Sequence, residues 1–233
     1  MRSGAETENG DTKRNYPNRR IITYHVPVFL RPPTRAAPPF LPTEPYMNTV
    51  DIAAKAANEL AQTLAKVNPA DVDALMGEIV AAKTVFLAGA GRSLLMLRAF
   101  AMRLMHIGFT VYLVGDTVTP ALQEGDLLII GSGSGETGGL VAMAKKAKQL
   151  KGRLAVLSIF PESTLGKMAD VRVRIPAYTD KLPESDDNRR CTLPGGSMFE
   201  QAVLLLGDSL ILPLSERTGT PTDRAFARHA NLE

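Results

Sequence analysis

Residues 127 to 144 read "LLIIGSGSGETGGLVAMA": an apolar run, Leu127 to Ile130, breaks into glycines and hydroxyls, and a helical pattern starts at Gly138. A short apolar run without alternation fits a strand buried on both faces, as in a parallel sheet. A strand that passes through a glycine-hydroxyl loop into a helix is the unit from which doubly wound sheets are built.

The same grammar repeats on either side. The spacing predicts helices over 48–67 and 70–82, a strand at 84–88, a helix at 93–106 and a strand at 110–114. After the strand at 127–130 it predicts a helix at 138–150, strands at 153–159 and 171–175, a long helix over 198–215 and a short one over 221–230. Short apolar runs alternating with helices imply right-handed crossovers. The expected fold is therefore α/β and doubly wound, with a mainly parallel five-stranded sheet flanked by helices. In helix 48–67 the apolar stripe is read as Ala53, Ala57, Leu60, Leu64 and Val67; its small residues would bury little alone and suggest a face for a second copy of the chain.

The net charge of +3 is local in origin. Residues 1–46 hold seven of the 27 basic and four of the 24 acidic residues, so the remainder is balanced. They also hold eight of the sixteen prolines, which deny them a regular helix or central strand. The segment is read as a disordered, Pro-rich N-terminal extension, with one domain over 47–233. It carries no repeated arginine clusters or helix-turn-helix pattern, and nucleic acid is not expected as a partner. One cysteine, Cys191, allows no internal disulfide, and His25, His106 and His229 lack metal-ligand spacing. No run of about 20 apolar residues and no secretory h-region stand out, so the expectation is a cytoplasmic protein without metal or membrane partner.

Ligands of such sheets bind beyond the carboxyl ends of the strands. Two ends are suggestive. At "AGAGRS", residues 88–93, a dinucleotide fingerprint fails because Leu94 occupies the third glycine position. At 131–137 there is no Gly-Lys-Ser/Thr of a triphosphate loop. Glycines allow close backbone approach and hydroxyls add donors without a lysine, a combination suited to a phosphomonoester. The alternative is that Ser132, Ser134 and Thr137 cap the following helix, with Glu136 in its first turn. Arg92, a cation at a positive helix end, asks for an anionic neighbour. Ser197-Met198-Phe199-Glu200 matches the S-x-x-E capping box, which would give Glu200 a structural task. His106 is read as a packed structural residue, and Lys145, Lys146, Lys148 and Lys151 as a solvated helix face.

Together "VFLAGAGRS", "AMRLMHIGF", "GDTVTPALQEGDLLIIGSGSGET" and "PGGSMFEQAVLLLGDSL" resemble the sugar isomerase (SIS) domain, and within it the 6-phospho-3-hexuloisomerase family. The likeness runs from about Met47 to the closing "HANLE". It implies isomerisation of D-arabino-hex-3-ulose 6-phosphate to fructose 6-phosphate without a cofactor, in a homo-oligomer, with a tetramer as the implied state. It also implies that Glu200 is the catalytic base. Ser132, Gly133, Ser134, Gly135 and Thr137 would then cradle the phosphate. Gly91, Arg92 and Ser93 would meet the sugar end, and His229 would open a cyclic substrate. Gly195 departs from the pattern that the resemblance implies, since relatives usually carry a larger apolar residue there. Two other classes stay open at this stage: a sugar-phosphate sensor without chemistry, and a dehydrogenase with Asp116 as its ribose acid.

Overall fold

The computed structural model describes residues 48–181, 183–185, 188–219 and 231. The N-terminal extension, the helix expected at 221–230 and His229 lie outside them.

Two capped helices open the domain. Helix α1 (Thr49–Leu64) starts at Asn48, whose Oδ1 accepts the Asp51 N–H at 3.0 Å, and α2 (Pro69–Ala81) starts at Asn68, with proline in the first turn. Asparagine caps and an N1 proline satisfy or remove amides that a helix start leaves without partners. There follow β1 (Val85–Gly89), α3 (Gly91–His106), β2 (Val111–Leu113), β3 (Leu127–Gly131), α4 (Gly138–Gln149), β4 (Arg153–Ser158), α5 (Thr164–Met168), β5 (Val171–Arg174) and α6 (Ser197–Thr218). All strand pairs are parallel, in the order β2-β1-β3-β4-β5. The expected five-stranded doubly wound sheet is the one observed.

Alternate residues of β1, β3 and β4 feed two cores. Val85, Leu87, Leu127, Ile129, Ala155 and Leu157 face α2, α3 and α6, while Phe86, Ala88, Leu128, Ile130, Leu154 and Val156 face α4 and α5. Both faces of these three strands are buried, which is why they read as apolar runs, whereas the edge strand β5 alternates valine with exposed arginine.

Chain order reverses between β1 and β3, and there the register sets Gly89 beside Gly131. A Cβ built on Gly131 would lie 2.9 Å from Leu97 Cδ1, and one on Gly89 would lie 3.0 Å from the Leu94 nitrogen. Bare backbone at both ends lets α3 settle onto the sheet at the switch point.

Three sequence expectations need correction. In α1 the buried positions are Ala56 and Thr63, with Leu60 and Leu64 half-buried, whereas Ala53 and Ala57 are exposed. The stripe is rotated because alanines stand at neighbouring positions and periodicity cannot choose among them. Helix α5 is an addition; Ser163 caps it by accepting the Gly166 N–H at 3.2 Å. Helix α6 runs three residues further than expected, through Pro213. By length and composition α6 is long and apolar enough to cross a membrane. Its apolar side is occupied in the core, however: Phe199, Ala202, Val203, Leu210 and Leu214 are buried, and Gly207 sits against Phe100. His106 is buried, as expected of a structural residue.

Candidate active site

The loop after β3 is held from below. Ser132 donates its amide to Leu157 O at 3.0 Å, and its buried Oγ accepts the Gly135 N–H at 3.2 Å. Gly133 O accepts from the Ile159 amide at 3.2 Å and the Ser158 hydroxyl at 3.3 Å. Gly135 turns the chain at φ +63, and its carbonyl accepts the Leu165 N–H at 3.1 Å. Glu136 accepts the Thr164 N–H at 2.7 Å, and this hydrogen bond holds its carboxyl below the usual carboxylate value.

These contacts decide the capping question for this loop. Thr137 occupies the N-cap of α4 but makes no side-chain cap bond. Its hydroxyl lies 3.4 Å from Ser132 Oγ, while Ser134 Oγ accepts the Glu136 amide at 3.2 Å. The hydroxyls therefore shape the loop instead of closing the helix, and Glu136 ties it to α5 rather than serving the first turn of α4. The bare start of α4 offers the amide-rich geometry that anions favour.

The second strand end behaves similarly. Helix α3 has Ala90 at its N-cap with no side-chain bond, and Gly91 adopts φ +55. Arg92, next in sequence, finds the anion expected of it: Nη1 lies 2.9 Å from Glu200 Oε2 and donates to Ser197 Oγ at 3.2 Å. The Arg92 side chain is 57% exposed and that of Glu200 only 15%. Apart from this ion pair, Glu200 Oε2 is buried and accepts no hydrogen bond.

The capping box expected at Ser197 does not form. Gly196, at φ +89, takes the N-cap, so Ser197 is the first residue inside α6 and turns its hydroxyl to Arg92. Glu200 is thereby shifted one position past the place from which a glutamate reaches back to the cap.

Ser93, Gly133, Ser134 and Glu200 line one cavity of ≈ 280 Å³. Among the other predicted residues, Ser132 and Gly135 are buried within the loop, Thr137 stands at the start of α4, Gly91 turns the chain into α3, and Arg92 pairs with Glu200. Sequence reasoning missed the segment after β5, which adds Tyr178, Thr179, Asp180 and Lys181 to the wall. A signal existed: β5 is parallel to β4, so its carboxyl end opens on the same side as the two glycine loops.

Comparison with known proteins places this fold in a family. Residues 78–184 match the SIS domain model. The chain is 46% identical to 3-hexulose-6-phosphate isomerase of Bacillus subtilis, across 80% of this chain and 100% of that one. It is 44% identical to the enzyme of the same name from Mycobacterium gastri, across 76% and 87%. A crystal structure of a Methanococcus jannaschii protein, inferred to be a 3-hexulose-6-phosphate isomerase, superposes with a TM-score of 0.66 at 32% identity, across 78% and 98%. With this fold, these two strand-end loops and relatives of this similarity, the chain belongs to the 3-hexulose-6-phosphate isomerases of the SIS-domain family.

Proposed function

We infer that the protein isomerises D-arabino-hex-3-ulose 6-phosphate to D-fructose 6-phosphate through an enediol. The observation that carries this reading is the low-exposure Glu200 carboxylate, paired with Arg92 and opening on the same cavity as the Gly133-Ser134 loop. The net reaction moves the C2 hydrogen to C3 and the proton of the C2 hydroxyl to the oxygen on C3. It requires a base beside both carbons and donors for the enediolate oxygens.

In this assignment the start of α4 and the hydroxyls of the 132–137 loop hold the phosphate. Arg92 fixes Oε2 of Glu200, which leaves Oε1 to take the proton from C2 and return it to C3. Ser93 supplies a hydroxyl toward the developing enediolate. His229, assigned to ring opening, lies outside the described residues. A sensor of the same fold would have no task for a carboxylate oriented in this way.

The test is incubation with the 3-hexulose phosphate, coupled to detection of fructose 6-phosphate. Turnover without added cofactor is expected, and binding without turnover would overturn the reading. In the cell, the enzyme would act in the cytoplasm downstream of condensation of formaldehyde with ribulose 5-phosphate. Residues 47–233 form the working domain in this reading.

A homotetramer accompanies the proposal. It is supported by large apolar side chains left exposed on packed neighbours, Leu95, Met102 and Met105 on α3 and Leu205 and Leu212 on α6. Sedimentation should show an assembly of four chains, and a lone 25.1 kDa species would refute it.

A further inference from the structure

The segment after β5 brings into the cavity a second carboxylate that the isomerisation as assigned does not use. Asp180 lines the same wall system as Ser134 and Glu200. Its Oδ1 accepts the Tyr178 hydroxyl at 2.6 Å. Tyr178, with Glu184 and Asp180, holds the nearby Arg190 guanidinium above its ordinary pKa. The Tyr178 hydroxyl engages Oδ1 and leaves Oδ2 to be accounted for.

Oδ2 lies over Gly195. A Cβ built on that glycine would stand 1.9 Å from Oδ2 and 2.9 Å from Cγ. Gly195 is not among the glycines with positive φ, so its backbone does not require glycine. What the position uses is the missing side chain, and the carboxylate occupies that space.

We propose that Asp180 is a specificity-determining residue whose carboxylate, seated in the notch left by Gly195, accepts hydroxyl groups of the sugar chain. The proposal rests on the sugar-phosphate reading of the cavity. An ionised carboxylate only accepts hydrogen bonds, so it rewards a chain that carries hydroxyls and disfavours a second anionic group. With Oδ1 already engaged by Tyr178, Oδ2 is the atom that reads the ligand.

The experiment is calorimetric titration of the full chain with two probes, fructose 6-phosphate and inorganic phosphate. Asp180→Asn keeps the shape and an oxygen for Tyr178. It should weaken fructose 6-phosphate roughly tenfold, as expected for loss of one charged hydrogen bond, with phosphate binding unchanged or tighter. Gly195→Ala leaves the carboxylate in the chain but evicts it from the notch, and should produce the same selective loss. Once Asp180→Asn is present, Gly195→Ala should add little, because both act through one contact.

Unchanged fructose 6-phosphate affinity in Asp180→Asn would overturn the proposal, as would equal weakening of both probes, which marks a structural role. If the wild-type protein itself does not prefer fructose 6-phosphate to phosphate, the sugar-phosphate reading fails and takes this role with it.

Discussion

Glu200→Gln should lower kcat by roughly 10²-fold or more while KM stays within a few-fold, because an amide cannot accept the C–H proton. The substitution preserves volume and one carbonyl oxygen, so the start of α6 keeps its packing. The ion pair with Arg92 is lost, but Arg92 is half exposed and retains its hydrogen bond to Ser197, so the stability cost is about 1 kcal/mol or less. The phosphate contacts proposed above lie on another element, the 132–137 loop, which accounts for the small change expected in KM. Had Glu200 closed a capping box, glutamine would serve nearly as well and both constants would stay put. The observed N-cap at Gly196 removes that alternative from the fold, and the kinetics test what remains. A Glu200→Gln protein that turns over at near wild-type rate, measured beside its melting temperature, would move the search for the base to His229.

The fold was largely legible because parallel strands buried on both faces announce themselves as apolar runs, and the switch point was legible because glycines mark it on both β1 and β3. What escaped the sequence depends on distances along the chain or on backbone angles. Arg92 called for an anion on helix-end grounds alone, yet nothing local says that the partner stands at Glu200, on the last described helix. The S-x-x-E pattern at Ser197 was read as a possible cap because the φ of +89 at Gly196 cannot be seen in a string of letters. Helix α5 spans five residues, too few to display a period, though it anchors the 132–137 loop through Thr164 and Leu165. Asp180 carries no glycine or hydroxyl run to advertise it; its place follows only once Gly195 is known to lie against it. The polar half of the site is therefore assembled by tertiary contact, whereas its glycine half is written locally.

The loop that local writing specifies should also be the least tolerant of change, and Gly135→Ala measures this. Gly135 sits at φ +63, where a side chain is strained, and a Cβ there would lie 1.9 Å from Ser163 Oγ and 2.4 Å from Ser163 Cβ. Ser163 cannot retreat freely, because its hydroxyl caps α5 through the Gly166 amide. Gly135 itself is tied on both sides, its N–H to Ser132 and its carbonyl to Leu165. Left-handed strain and the forced contact together should cost about 2–4 kcal/mol. For a domain of this size that is a melting temperature lower by roughly 5–15 °C. Because the same displacement splays the amides and hydroxyls assigned to phosphate, KM for the sugar phosphate should rise at least about tenfold. Adding Ser163→Gly removes the steric part but not the strain, so it should recover only some of the loss. A lower melting temperature with KM unchanged would mean that the loop is a structural joint and that the phosphate binds elsewhere. Wild-type values for both would show that Gly135 does not make the turn described for it.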